Sequence, residues 1–253
     1  MQMRWKAVPI VIMAVFISTV SYAQIVNIEN KRIATDTTGL AGKVGLSLSA
    51  AQFRESFVAA DVHAQLQYKR PNDLYLAIID YQILNAGGQN FNNNAFAHLR
   101  YNRKMGPVVR LELFSQIQFN SVTKIRARVL NGLGLRLKLA DTKRTKMYLG
   151  VAAMYEHEEL TEPAITNEDV RLSNYLSVSL TPLETLTVVN TTYMQPLADR
   201  LSDYRLSNNS KLVFDITKKL KFVTDFSFLY DTDPPLDIPK INYQVRNGIT
   251  YRI

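Results

Sequence analysis

Ile125-Arg126-Ala127-Arg128-Val129-Leu130-Asn131-Gly132-Leu133-Gly134-Leu135-Arg136-Leu137-Lys138-Leu139 decides the fold class of this chain. Arg126, Arg128, Arg136 and Lys138 fall on one parity, and Ala127, Val129, Leu133, Leu135, Leu137 and Leu139 on the other. Successive side chains of an extended strand point to opposite faces, so this stretch has one charged face and one uncharged face. The same parity rule runs through nearly every strand-like segment after the first two dozen residues. An uncharged outer face over a polar inner face, at a period of two, is the pattern of a transmembrane β-barrel.

Composition agrees. The chain has 253 residues, 47% of them hydrophobic, and a mean hydropathy of only −0.09. A barrel need not look hydrophobic in bulk, because half of each strand faces a polar lumen. The absence of cysteine excludes a disulfide framework, a thiolate metal site, a cysteine nucleophile and a lipoprotein anchor. Net charge is +8 with a pI near 9.5. The basic residues sit singly along alternating strands, not in one patch, which argues against a nucleic-acid partner.

Arg4 and Lys6 precede the apolar run 7–20, and Ser21-Tyr22-Ala23 supplies the small residues of a cleavage site. This is the layout of a secretory signal peptide cut between Ala23 and Gln24. The apolar run is short for a membrane helix, which needs about 20 residues. The organisation expected is a signal peptide over 1–23, a periplasmic lead over 24–40 and an outer-membrane barrel over 41–253. About twelve antiparallel strands of membrane-spanning length follow: 41–53, 56–69, 73–84, 93–103, 108–120, 125–139, 146–158, 170–180, 185–195, 204–216, 220–230 and 241–253. Short connections alternate with longer ones at 85–92, 159–169, 196–203 and 231–240, as short periplasmic turns alternate with longer outer loops. The ninth strand has the weakest alternation, since Thr and Val occupy both its parities.

On the apolar parity, Tyr68, Tyr75, Tyr101, Phe222 and Tyr251 fall at the periplasmic end of their strands. Tyr81, Phe119, Tyr155, Tyr204, Tyr230 and Tyr243 fall at the outer end. Two aromatic belts are what two membrane–water interfaces select. Asn131 and Asn174 are the polar exceptions on the outward face.

The chain stops inside its last strand. In Arg246-Asn247-Gly248-Ile249-Thr250-Tyr251-Arg252-Ile253, the placing of Gly248, Tyr251 and Ile253 resembles the C-terminal assembly signal of outer-membrane barrels, with Ile253 where that signal usually ends in an aromatic. Leu99-Arg100-Tyr101-Asn102-Arg103-Lys104, the strand from Arg126 to Arg136, and Tyr230-Asp231-Thr232-Asp233-Pro234-Pro235 resemble the family catalogued as domain of unknown function 481. Many of its members carry the label of salt-induced outer membrane proteins. The resemblance implies a barrel in the outer membrane of a Gram-negative-type bacterium and no assigned activity.

The polar parity projects Arg100, Arg110, Arg126, Arg128, Arg136, Lys138, Arg171, Arg205, Lys211, Lys221 and Arg246 inward. Asp61, Asp80, Glu112, Glu156, Asp215 and Asp225 oppose them. Rings of Arg and Lys favour anions, so a passive pore or a lumen that binds small anionic solutes is the first expectation. The candidate lumen set is Arg100, Arg110, Glu112, Arg126, Arg128, Arg136, Lys138, Arg171 and Arg246. The alternative is a closed structural or envelope-stress barrel filled by paired charges. Gly132, Gly134 and Gly150, on the inner parity, either widen the lumen or mark tight strand curvature. A third reading, an outer-leaflet lipid hydrolase, rests on His157, which faces outward at the outer end without an identifiable serine beside it; His63 and His98 read as lumen residues. His157, Glu158, Glu159 and Glu162, and Asp231-Thr232-Asp233, are acidic enough to raise Ca²⁺ but read better as solvated loops. No enzyme, metal or cofactor is expected. The expected partners are outer-membrane lipid, the barrel-assembly machinery and small anionic solutes.

Overall fold

The computed structural model describes residues 28, 38–52, 54–217 and 219–251, apart from the side chains of Asn90 and Phe91. The expected signal peptide lies outside these residues, as do Arg252 and Ile253. The described chain forms one antiparallel sheet with its strands in sequence order: β1 (Gly39–Gln52), β2 (Ser56–Lys69), β3 (Asp73–Ala86), β4 (Gln89–Lys104), β5 (Val109–Asn120), β6 (Ile125–Asp141), β7 (Thr145–Leu160), β8 (Thr166–Leu183), β9 (Leu186–Pro196), β10 (Tyr204–Asp215), β11 (Leu220–Asp231) and β12 (Ile241–Tyr251). The twelve strands match the expected number. The weakly alternating ninth is a full member, paired to β8 and β10.

The sheet is rolled into a barrel. Side chains meet across its interior from strands that are not neighbours: Arg136 of β6 and Glu112 of β5 both reach Tyr175 of β8, and Glu156 of β7 reaches Arg205 of β10. The edge strands β1 and β12 are exposed along most of both faces, and among the described residues no ladder joins them. The end of the barrel where β1 begins and β12 finishes is called the terminal end, and the opposite end the loop end.

Two expected long loops are mostly strand. Residues 85–92 look like a loop because they are polar and glycine-bearing. Only Gly87 and Gly88 turn, with φ of 57° and 74°. A two-residue hairpin turn of this kind needs positive φ at both central positions, which glycine supplies without steric cost. The following asparagines are polar because they line the interior: Asn92 is buried, and Asn94 donates to Asn92 Oδ1 at 3.0 Å. Likewise β7 runs on to Leu160 and β8 starts at Thr166, which shortens the expected loop over 159–169. The connections 197–203 and 232–240 remain long.

The interior glycines make room for rings. A Cβ on Gly132 would stand 2.1 Å from Phe114 Cζ, and one on Gly150 only 1.9 Å from Tyr175 Cε1. Phe114 and Tyr175 are their cross-strand partners, so each ring lies flat over a glycine. These glycines do not widen the lumen; they let aromatic side chains fill it. Gly134 is also closely overlaid, by Ala152 and the Val151 carbonyl.

Candidate functional site: a lumen with two electrostatic regions

Toward the loop end the interior is an arginine–carboxylate lattice. Glu156 is fully buried and receives three guanidinium groups: Arg205 Nη1 at 2.6 Å, Arg171 Nε at 2.9 Å and Arg128 Nε at 3.1 Å. Arg128 also pairs with Glu158, and Arg205 with Asp231 at 3.0 Å. Arg171 reaches Asp203 at 3.2 Å in the connection before β10. These arginines come from β6, β8 and β10, so the lattice ties together strands that share no ladder. Taking a charge out of water costs several kcal/mol per ion, and only close pairing with satisfied hydrogen bonds offsets that cost. Here Arg128, Arg171 and Arg205 face Glu156, Glu158, Asp203 and Asp231, so the lattice carries no excess of positive charge.

At mid-height the lumen is packed. His98 is stacked between Phe96 and Phe114, with ring centroids 6.0 and 5.9 Å away. Arg100 Nε donates to His98 Nε2 at 3.3 Å, so the imidazole proton sits on Nδ1 and points to Gln116 Oε1 at 3.1 Å. Ile28, from the chain before β1, is buried in a cluster with Leu76, Ile78 and Phe96. The space left among Ile28, His98, Leu130, Met154, Tyr193 and their neighbours is about 40 Å³.

Toward the terminal end the balance changes. Arg110 stands opposite Arg136 across β5 and β6, and Lys104 opposite Arg110 across β4 and β5. Like charges directly opposite normally repel. The Tyr148 ring lies beneath both guanidinium groups, 3.9 Å from Arg136 and 5.9 Å from Arg110, and its π face offsets part of the repulsion. Arg136 Nη1 donates to Tyr175 Oη at 2.9 Å, and Tyr175 in turn donates to Glu112 at 2.8 Å. Glu112 also accepts from Asn102 at 2.6 Å and lies 3.8 Å from Arg100. Lys138 pairs with Asp141 at 3.3 Å. Among the described residues this vestibule holds Arg100, Lys104, Arg110, Arg136 and Lys138 around Glu112 and Asp141.

Of the candidate lumen set, Arg100, Arg110, Glu112, Arg128, Arg136, Lys138 and Arg171 meet in these two regions. Arg246 lies apart on β12, donating to Gln244 at 3.1 Å. Arg126 departs from expectation. The β6–β7 register steps between Ile125 and Ala127, so Ile125 is buried and Arg126 turns outward, 71% exposed and 3.6 Å from Glu159. One extra residue in a strand reverses the parity behind it, and no period-two reading survives such a bulge. Gly248 and Tyr251 lie on exposed β12.

The histidines resolve differently. His63 pairs with Asp80. His157 faces outward, its two ring nitrogens against Glu168 at 2.6 Å and Glu159 at 3.3 Å, while Glu158 turns inward to the lattice. Alternate parity thus splits the acidic run. Among the described residues no His, Cys, Asp or Glu cluster is arranged to hold a metal ion. Tyr148, Tyr175 and Glu158 were not expected at the site. Tyr148 and Tyr175 share the polar parity of their strands, a signal that a search for charges passes over.

A family model for proteins of unknown function, DUF481, matches residues 34–253. The chain belongs to the DUF481 family. No curated protein matches this DUF481 chain. Among solved structures it is similar to the NanC porin in a rhombohedral crystal form, at 11% identity and a TM-score of 0.50, covering 83% of this chain and 100% of that one. It is also similar to the KdgM porin, at 13% identity and a TM-score of 0.43, covering 85% of this chain and 99% of that one. The KdgM porin in complex with disordered oligogalacturonate aligns at 14% identity and a TM-score of 0.40, covering 79% of this chain and 96% of that one. At such identities the first of these likenesses is one of fold.

Proposed function

We propose that this DUF481 barrel resides in the outer membrane of a Gram-negative-type cell and handles small acidic solutes through a basic vestibule that faces the periplasm. The observation that carries the reading is the pairing of Arg110 with Arg136 across one ladder, with Lys104 next in register. A carboxylate or phosphate entering this row would meet several guanidinium and ammonium donors together, and charge-assisted bonds to such anions are the strong ones. Outward exposed tyrosines support the membrane setting: Tyr68, Tyr75 and Tyr101 stack in a row at the terminal end, with centroids 6.2 and 5.0 Å apart. The shared fold with a porin supports the same setting. The barrel acts by binding and passage, not by bond chemistry.

The test is planar-bilayer recording in a salt gradient. The expected current is small and anion-preferring, and Arg110→Glu with Arg136→Glu shifts the reversal potential toward cations. A conducting wild type whose selectivity ignores that pair of changes would defeat the vestibule reading. A second reading, a closed structural barrel, is favoured by the packed mid-lumen and buried Ile28. It predicts no steady current in the wild type and none in Ile28→Asp. Current that appears only in Ile28→Asp would mean a passage stoppered by that side chain.

A further inference from the structure

The outer wall of the barrel is not smooth. A groove of about 720 Å³ crosses it from β2 to β7. Two rows of cross-strand partners line it. One runs Leu66, Ala77, Leu99, Ser115, Asn131, and the other, nearer the terminal end, runs Tyr68, Tyr75, Tyr101, Leu113, Leu133, Ala153. The depression exists because Ala77, Ser115 and Ala153 lack the bulk of the leucines and tyrosines around them. Asn131, one of the two polar exceptions on the outward parity, lies in this groove beside Ser115.

The terminal-end rim is basic. Arg103 follows Tyr101 on the outward parity, and exposed Arg70 sits in the turn beside it. The acid among them, Asp73, already accepts the Tyr101 hydroxyl at 2.7 Å.

We propose that this groove binds one phospholipid with an anionic headgroup. Arg70 and Arg103 would meet the headgroup phosphate, since charge-assisted bonds to phosphate are the strong ones. The Ser115 hydroxyl and the Asn131 amide are donors for ester carbonyls. Leu66, Leu99, Leu113 and Leu133 line the path of an acyl chain. The inference rests on the membrane reading above and deepens it by assigning a lipid to one face. It also accounts for a polar pair that would otherwise face hydrocarbon, where an unsatisfied polar group is costly. An apolar floor beside a basic rim matches the acyl chain and phosphate of one lipid, and this complementarity commits the groove to a lipid and not to a second copy of the chain.

Native mass spectrometry of the detergent-purified barrel tests it, using phosphatidylglycerol and phosphatidylcholine with identical acyl chains. The barrel should retain one phosphatidylglycerol, and hold it about tenfold more strongly than phosphatidylcholine. Arg70→Gln with Arg103→Gln should erase the headgroup preference. Ala153→Trp, which fills the groove from outside the barrel, should weaken both lipids about tenfold while heat-modifiable folding stays intact. Equal retention of the two lipids by wild type, no retention of either, or undiminished retention by Ala153→Trp would overturn the site. So would a dimer that Ala153→Trp dissolves, because the groove would then belong to a second copy. Failure of the chain to fractionate with membranes at all would instead remove the underlying membrane reading, a result visible before any lipid is weighed.

Discussion

Arg128 and Arg136 lie on the same strand, on the same face, eight positions apart in a single run, and they meet opposite fates. Arg128 is one cation among several in a lattice where carboxylates match the guanidinium groups, and its surroundings hold Glu156 and Glu158. Arg136 stands opposite another arginine and lies on a tyrosine ring. Strand parity brings both indoors. What differs is the company: Glu156 and Glu158 of neighbouring β7 for Arg128, with Arg205 of β10 sharing both acids and Arg171 of β8 sharing Glu156, against Arg110 of β5, Tyr148 of β7 and Tyr175 of β8 for Arg136. The lesson is that a count of inward charges does not measure the field in a barrel. Among the described residues the loop-end region pairs its cations with carboxylates, and the terminal-end region holds more cations than carboxylates.

The sharpest way to break this comparison is to remove a lattice member. Arg205→Met leaves Glu156, Glu158 and Asp231 each short of a partner, and breaking a buried ion pair from one side costs about 3–5 kcal/mol. Urea unfolding in lipid vesicles should show a loss of that size. A loss below about 1 kcal/mol would mean that the lattice is wet and not structural. The matching change in the vestibule, Arg110→Gln, should leave stability nearly untouched and change selectivity instead.

A smaller effect separates packing from charge. Gly150→Ala sets a Cβ against the Tyr175 ring, and overpacking of this kind costs about 1–3 kcal/mol. Because Tyr175 links Arg136 to Glu112, its displacement should also alter anion selectivity. Gly132→Ala pushes on Phe114 and through it on His98 and Arg100, so it should cost similar stability by the same measurement while shifting selectivity less. If both glycine changes altered selectivity equally, the two regions would not be independent.

Much of this architecture is legible in the sequence, for a physical reason. In a strand the period is two and strictly local, so Arg128, Arg136 and Arg171 reveal their face without knowledge of the rest. Tilted strands of repeated length do the same for the number of elements. The unread parts are those where locality fails. Period two places Arg126 inward, because a bulge, one residue long, leaves no mark on composition. The asparagines after Gly88 read as a loop because lumen-lining polar residues and loop residues share a composition. Asp203 gives no sequence signal because a residue in a connection has no parity, and it meets Arg171 only because the sheet curls. The contact of Tyr175 with Glu112 gives none because it spans the interior, from β8 to β5.

Asp203 also sets the smallest and most specific expectation. It sits in the connection before β10, outside the strands, with Arg171 on one oxygen and Arg200 on the other at 2.7 Å. Burial alone would push its carboxyl up. The hydrogen bond from Arg200 and the charge of Arg171 outweigh that, and they hold it below the ordinary value of 3.8. Asp169, Asp199 and Asp233 also lie within electrostatic reach of this corner. A carboxyl depressed in the folded state adds stability that is fully present above the unfolded value and disappears as pH falls through the folded one. Between pH 5 and pH 8 both states are ionised there, so Asp203 contributes no slope. The contribution should fade only below about pH 4. Urea midpoints of wild type and Asp203→Asn, each at pH 7 and pH 3, isolate the effect from the other acids. Asp203→Asn should be the less stable at pH 7, and the gap should narrow at pH 3. A gap of the same size at both values would mean that Asp203 holds the lattice by hydrogen-bond shape alone, and that the loop-end region is neutral by packing and not by charge.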